Sequence, residues 1–477
     1  MDWFSAPDYW LTRFVFQRAL ALVYLVAFLV AVNQFRPLLG ERGLLPVPEF
    51  LRAASFRRAP SLFHLGYSNR LFAVVAWTGV ALSAAAVLSL PERASLPVSM
   101  LVWFALWVLY LSIVNVGQTF YAFGWESLLL ESGFLAIFLG SSDTPPPVLV
   151  IWLLRWLLFR LEFGAGLIKM RGDRCWRNLT CLDYHHETQP MPNPLSWYFH
   201  RLPKRLHRIE TAGNHVAQLV APFGLFAPQP GAEIAATFMV ITQLWLVLSG
   251  NFSWLNVLTI TLAISAFDGS WLHHIIPASA PAMTGPPAWY EAVVVLLTVV
   301  VVVLSWWPVR NMVSSRQAMN LSFNRIHLVN TYGAFGSVTR VRNEIVIEGT
   351  GEEEVTPTTV WKEYGFKGKP GDPCRRPPQV APYHLRLDWL MWFAALSPIY
   401  ARSWFVPLMV RLLEDDSATL ALLGHNPFSG RPPSLVRARL YRYQFTTWPQ
   451  RRESGAWWTR ELVGDYLRPI ALRDVRE

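Results

Sequence analysis

The chain has 477 residues, of which 53% are hydrophobic and only 16% are charged, and it contains 23 Trp and 29 Phe. This apolar surplus exceeds what a soluble core of this size needs, so composition favours membrane spans plus one further domain over several soluble domains. The net charge of +10 is spread over several loops without a nucleic-acid recognition motif, which argues against nucleic acid and for an anionic membrane surface.

The three cysteines, Cys175, Cys181 and Cys374, are too few for a disulfide scaffold, and none belongs to a C-x-x-C pair. The first apolar run follows an acidic start and lacks a small-residue cleavage site. It is therefore predicted to be a retained membrane span rather than a signal peptide.

Apolar runs long enough, or nearly long enough, to cross a bilayer as a helix predict eight spans, because about 20 residues are needed. They are residues 11–32, 71–90, 98–116, 126–140, 148–170, 232–250, 252–267 and 289–307. A ninth segment, 215–226, is interrupted by Pro222 and Gly224 and is predicted to be re-entrant or buried. The bundle is thus predicted over residues 1–308.

Two substantial basic loops, 33–70 and 171–214, separate these spans. The first carries six Arg against two Glu, and residues 171–210 of the second carry seven Lys or Arg against four acids. An even number of predicted spans separates the loops, so they share one side of the membrane. The positive-inside rule predicts that this side is cytoplasmic.

From residue 309 to residue 477 the pattern is that of a soluble α+β domain with a small β-sheet. Strands are predicted at 326–329, 337–341 and 344–347, with Gly333 and Gly336 at turns. The proline-rich stretch 367–382 is predicted to be irregular, and helices are predicted at 385–395 and 404–413. The predicted fold class is an α-helical polytopic membrane bundle of about eight or nine spans followed by this domain.

The predicted span 148–170 carries three ionisable residues, Arg155, Glu162 and Lys169, spaced seven apart. That spacing places them along one helix face, and charges at membrane depth persist when they face partners inside the bundle. The candidate partners of this charge network are Glu126, Glu131 and Arg160. The network is interpreted either as structural, fixing helix packing, or as the lining of a functional cavity.

The segment that follows, residues 170–194, concentrates six side chains able to do chemistry. They are Cys175, Cys181, Asp183, His185, His186 and Glu187. Metal ligation is one interpretation, although the spacing matches no common metal signature, and no metal is expected. A disulfide between the two cysteines is another, if the loop faces an oxidising compartment.

Acid–base catalysis is a third interpretation of this segment, with His185 or His186 oriented by Asp183 or Glu187. Adjacent histidines cannot both face one pocket, so one of them is expected to be structural. The fourth interpretation is a loop that only packs on the bundle through Trp176, Tyr184, Met191 and Trp197.

Four long segments resemble the lipase maturation factor family, and the resemblance extends over most of the chain. They are residues 123–139, 155–200, 330–350 and 377–396. The resemblance implies a multi-span protein of the endoplasmic reticulum membrane whose aqueous regions bind newly made lipases and help them to assemble. Arg- and Ala-rich usage is typical of a bacterial relative, for which the bacterial inner membrane is expected. Trp389, Trp392 and Trp448 are predicted to form an exposed client-binding surface.

A second resemblance covers only residues 165–176, which are similar to the region of vitamin K-dependent carboxylases that carries the catalytic lysine. Lys169 falls on that lysine. The alternative hypothesis is therefore an integral membrane enzyme centred on Lys169, Glu162, His185 and His186, with a quinone-like lipid-soluble cofactor. The leading hypothesis, a maturation factor with lipids and secreted clients as partners, requires no cofactor.

Overall fold

In a computed structural model, which describes residues 3–428 and 430–476, the chain is mostly helical. Eleven described α-helices have nine or more residues: α1 (Trp10–Leu39), α2 (Asn69–Val87), α3 (Leu96–Val116), α4 (Gly124–Ala136), α5 (Val148–Arg171), α6 (Lys204–Leu219), α7 (Gly231–Ser249), α8 (Leu255–Ala263), α9 (Ala288–Leu304), α10 (Arg386–Leu396) and α11 (Phe405–Leu413). Shorter α-helices that bear on the site are Arg174–Arg177, Leu182–Thr188, Ser196–His200, Ala221–Gly224, Trp306–Val313 and Trp448–Ser454.

Five helical stretches among the described residues are long and apolar enough to cross a membrane. They are Pro7–Leu39, Asn69–Val87, Leu96–Val116, Gly231–Ser249 and Ala288–Val313. Each coincides with one of the eight predicted runs. The other three runs form α4, which has 13 residues, α8, which is also short, and α5, which is long but carries five ionisable residues. The count of eight or nine spans therefore stays a prediction.

Hydrogen bonds between distant segments identify two ends of the helical bundle. At the first end, here called the N-terminal end, Trp10 Nε1 donates to Ser142 O, Thr12 Oγ1 donates to Phe267 O, and Val148 N donates to Phe4 O. At the opposite end, called the domain end, Trp254 Nε1 donates to Trp125 O. Segments 125–142 and 254–267, which contain the short helices α4 and α8, thus connect the two ends.

Helix α5 lies in the middle of the bundle and contacts α4, α6, α8 and α9. Glycines allow the backbone of residues 332–336 to pack against its last turns. A Cβ atom added at Gly164 would lie 2.4 Å from Tyr332 O, and one added at Gly172 would lie 2.0 Å from Gly336 O. Any side chain at either position would push this segment away from the helix.

The C-terminal domain contains one four-stranded antiparallel sheet of order β2-β1-β3-β4. Its strands are β1 (Arg342–Thr350), β2 (Lys362–Glu363), β3 (Leu435–Phe445) and β4 (Trp458–Ala471). The predicted strand 344–347 lies within β1, and helices α10 and α11 match the two predicted helices. Residues 367–382 contain neither helix nor strand, as predicted.

Two predicted strands, 326–329 and 337–341, are wrong, because both segments are irregular. Val329 and Val338 are buried in packing contacts, and Gly336, which lies between the two segments, packs closely against Ile168 of α5. The long strands β3 and β4 were not predicted. Residues 314–341 precede the first strand, and the division at residue 308 stays a prediction.

Candidate functional site at the domain end of the bundle

The charged stripe of α5 is turned away from the surface. Arg155, Glu162 and Lys169 are all buried, as are Arg160 on another face of α5 and Glu126 on α4. A buried charge is stable only with hydrogen-bond partners. The partners of each charged residue therefore indicate its role.

Arg155 lies near the N-terminal end and has no carboxylate partner among the described residues. Its guanidinium donates to Ser265 O at 3.0 Å, Leu225 O at 3.2 Å and Tyr9 Oη at 2.8 Å. The prediction that Glu126 or Glu131 would pair with this arginine is wrong. Carbonyls left without helical partners beyond α8 lie at its depth instead.

Glu131 of α4 pairs with Arg160, and the pair is almost completely buried. The carboxylate also accepts from Asn330 N at 3.0 Å and from Tyr332 Oη at 2.8 Å, while Arg160 Nη1 donates to Asn330 O at 2.6 Å. These contacts hold the segment before β1 against α4 and α5.

Glu126 pairs with an arginine of the C-terminal domain rather than with α5. Arg386 Nη1 donates to Glu126 Oε1 at 2.8 Å, and the guanidinium lies 3.4 Å from the centre of the Tyr121 ring. Tyr110 Oη also donates to this carboxylate, and His384 lies 3.7 Å from it. The first turn of α10 is thereby fixed to the bundle. Arg386 was not among the predicted site residues, although a charge at the start of an apolar helix indicates a buried partner.

Lys169 and Glu162 belong to one hydrogen-bonded network with side-chain amides of α6 and α7. Lys169 Nζ donates to Asn214 Oδ1 at 2.8 Å and Gln218 Oε1 at 2.9 Å. Glu162 accepts from Gln218 Nε2 at 3.2 Å and from Gln243 Nε2 at 2.7 Å. Amides thus separate the lysine from the carboxylate, and both charged groups have partners.

The loop beyond α5 is closed by a disulfide between Cys175 and Cys181. Within the described ranges no three His, Cys, Asp or Glu side chains are arranged to hold a metal ion. His185 is buried between the rings of Phe252 and Phe335. Burial lowers the pKa of His185 to about 3, which makes it a weak base at neutral pH.

The acidic residues of the Leu182–Thr188 helix pair with histidines outside that helix. Asp183 Oδ1 lies 3.2 Å from His207 Nδ1, and Glu187 Oε2 lies 3.6 Å from His200 Nε2. The predicted pairing of Asp183 or Glu187 with His185 or His186 is therefore wrong. Asp183 and Glu187 are four residues apart and share a helix face, whereas His185 points elsewhere.

His186 lies 3.6 Å from Glu210 of α6, and no described hydrogen bond satisfies its ring nitrogens. Glu187 accepts a hydrogen bond from Phe445 N at 2.7 Å, and burial raises the pKa of this carboxyl. The loop is thus joined to β3 as well as to α6.

Strand β1 also holds this loop through Arg342. The guanidinium donates to Glu187 O at 2.9 Å and Pro190 O at 3.1 Å, and it pairs with Glu344 at 2.6 Å. Lys369 Nζ lies 2.7 Å from the same carboxylate. The histidine-bearing loop is therefore a rigid joint between the bundle and the sheet.

The three tryptophans predicted to form one exposed surface differ in burial. Trp389 is only 3% exposed and its ring lies 4.9 Å from that of Trp125, because α10 is fixed in the junction. Trp392 is half-buried and donates to Thr188 O at 3.2 Å. Trp448 is 50% exposed. The predicted surface is therefore wrong for Trp389.

The apolar helices and the rigid joint define an integral membrane protein with a small sheet domain fixed to a helical bundle. Residues 11–274 match the family model described as the lipase maturation factor transmembrane domain, and residues 328–468 match the lipase maturation factor C-terminal domain. The chain belongs to the lipase maturation factor family.

Similar proteins agree with this assignment. The chain is 44% identical to lipase maturation factor 1 of Bos taurus, with 99% of this chain and 91% of the relative covered. It is 43% identical to lipase maturation factor 1 of Homo sapiens, over 98% of this chain and 89% of the relative. It is 28% identical to lipase maturation factor 2 of Homo sapiens, over 97% of this chain and 83% of the relative. No solved structure matches the chain.

Proposed function

We propose that this chain is a membrane-embedded maturation factor that assists the folding or assembly of secreted client proteins such as lipases. The observation that carries the proposal is 44% identity to lipase maturation factor 1 over 99% of the chain, which includes both family regions. The protein works in the endoplasmic reticulum membrane of a eukaryote or in the inner membrane of a bacterium.

The alternative, a carboxylase-like membrane enzyme, gains no support. Both family matches are to maturation factors. Lys169 donates to two amide oxygens and lies 4.8 Å from the centre of the Trp176 ring. His185, its proposed neighbour in catalysis, is a weak base because burial lowers its pKa to about 3. We assign this group of residues to the joint between bundle and domain.

In the membrane, all of α1–α9 cross the hydrocarbon layer. The five long apolar stretches are long enough to cross by themselves. Helices α4, α5 and α8 are covered by neighbouring helices, and a helix that is shielded from lipid in this way can be short or carry charges. Helix α6, extended by Ala221–Gly224, joins the two ends of the bundle. An odd number of crossings places the C-terminal domain opposite the N-terminus.

The domain end faces the oxidising side of the membrane, which is the lumen or the periplasm. The Cys175–Cys181 disulfide lies at this end, and disulfides persist in oxidising compartments. This assignment contradicts the cytoplasmic side that the basic loops predict. We give the disulfide more weight, because secreted clients fold on the same oxidising side.

The test is expression of the chain with a secreted lipase in cells that lack their own maturation factor. We expect the ratio of lipase activity to lipase mass in the medium to rise. Isolation of the membrane protein should recover the lipase. An unchanged ratio, with the chain present at normal level in the membrane, contradicts the proposal.

The same assay separates the two hypotheses through Lys169→Met. A maturation factor should keep its effect on the client, because this lysine is part of a structural network. If Lys169 is catalytic, the variant should lose its effect on the client while the level of folded protein stays unchanged. Arg171→Met, at the exposed end of α5, is the matched control.

A further inference from the structure

The outward face of α6 is apolar along most of its length. Ile209, Val216 and Val220 are 67%, 45% and 61% exposed, and Phe223 of the next helical turn is 57% exposed. Their spacing follows one helix face, while His207, Thr211 and Gln218 on the other face are buried in the bundle. An exposed apolar stripe on a membrane bundle is the surface that contacts lipid.

The first two turns of α6 are basic, at the domain end of that stripe. Lys204, Arg205 and Arg208 are exposed, and none forms an ion pair with a carboxylate among the described residues. Arg205 lies four residues before Ile209, on the same face. Basic side chains directly above a lipid-facing stripe lie at the depth of the headgroups.

Exposed aromatic rings are carried by elements that pack near the start of α6, where His207 Nε2 lies 3.0 Å from Phe199 O. Trp245 of α7 is 40% exposed, donates to Glu210 Oε1 at 2.6 Å and packs against Phe199. Tyr198 precedes Phe199 and lies 6.1 Å from Trp448 of the C-terminal domain. Tryptophan and tyrosine prefer the membrane–water interface because their rings are apolar and their tips are polar.

We infer that Lys204, Arg205 and Arg208, together with Tyr198 and Trp448, form a binding site for anionic phospholipid headgroups. We call this surface the basic–aromatic rim. It binds lipid phosphate through the three cations and places two aromatic rings at headgroup depth, which docks the C-terminal domain on the bilayer.

Two observations favour a lipid over an acidic protein as the occupant. No carboxylate among the described residues pairs with the three cations, so a negatively charged surface is the complementary one. The apolar stripe of α6 continues directly from them, which matches the acyl chains below a headgroup and would have no function towards a soluble acidic segment.

The test uses the purified full chain in detergent micelles, titrated with dioleoyl phosphatidylglycerol or phosphatidylcholine, with bound lipid counted by native mass spectrometry. The variant replaces Lys204, Arg205 and Arg208 by glutamine. Phosphatidylglycerol affinity should fall about a hundredfold, since each basic residue near an anionic surface contributes about 1 kcal/mol. Phosphatidylcholine binding should not change.

The matched control replaces three exposed arginines of the C-terminal domain, Arg402, Arg431 and Arg468, by glutamine. It should bind phosphatidylglycerol as the wild type does, and inorganic phosphate should not compete. Equal phosphatidylglycerol affinity for the rim variant and the wild type overturns the inference. Loss of lipase capture by the rim variant with unchanged lipid binding also overturns it, and would assign the surface to a protein. Unfolding temperatures in phosphatidylcholine nanodiscs verify that all variants are folded.

Discussion

At the scale of single residues, buried arginines hold distant parts of the chain together. Arg155 binds backbone carbonyls and a tyrosine, whereas Arg160 and Arg386 each pair with a buried glutamate of α4. A buried ion pair is weak evidence for stability in itself, but removing one partner leaves an uncompensated charge. The two pairs therefore act mainly by fixing where α5 and α10 lie.

Arg160→Met tests this directly. The substitution leaves Glu131 without its cation, so we expect a loss of about 3–5 kcal/mol in the free energy of unfolding. Denaturation of the purified protein in mixed micelles measures it. Arg171→Met, which changes an exposed arginine, should cost much less. A similar cost for both would contradict the role given to the buried pair.

The lowered pKa of His185 predicts that the stability of the protein depends on pH. Its pKa is about 3 when folded and near 6.5 when unfolded, so only the unfolded chain takes up this proton between those values. The contribution of His185 to stability is therefore fully present above pH 6.5 and is lost as pH falls towards 3. As pH falls through this window, the unfolding temperature of the wild type should fall relative to that of His185→Phe. A constant difference would show that His185 does not titrate on unfolding.

At the scale of elements, close packing on α5 depends on glycine. Gly164→Ala should destabilise the protein, because its Cβ would lie 2.4 Å from a backbone oxygen that cannot move without shifting the segment before β1. Gly213→Ala is the control: it lies in α6 with open space around it and should be neutral or stabilising by up to about 1 kcal/mol. The unfolding temperatures of both variants are compared with that of the wild type. Equal changes in the two variants would contradict the tight contact at Gly164.

Periodicity predicted some elements well and others poorly, for physical reasons. The five long apolar stretches and α10 and α11 were predictable, since each carries its own hydrophobic signal. Strands β3 and β4 mix arginine and tyrosine with apolar residues. Because these long side chains are partly apolar and partly polar, the alternation of polar and apolar residues expected of a half-exposed strand is obscured. The two wrong strands contain β-branched residues in segments that pack elsewhere: Val329 lies near α4 and α9, and Val338 packs on the loop that the disulfide closes.

At the scale of the whole molecule, the side of the membrane that the domain end faces can be tested with Cys374. This thiol is exposed, and the other two cysteines are joined in the disulfide. A membrane-impermeant maleimide should label it only from the lumenal or periplasmic side of sealed vesicles. His274→Cys with Cys374→Ser, at the N-terminal end of the bundle, should be labelled only from the other side. The reverse pattern would place the domain in the cytoplasm.

The sequence by itself determined the membrane class, the inward-facing stripe of α5 and the resemblance to the maturation factors, because composition, helical spacing and long similar segments are local properties. Only the tertiary structure decided which groups meet. Glu126 and Arg386, which pair, are 260 positions apart, and Asp183 pairs with His207 rather than with His185 or His186 on its own helix. Such pairings depend on how rigid helices pack, which brings distant side chains to one depth and moves adjacent ones to different faces.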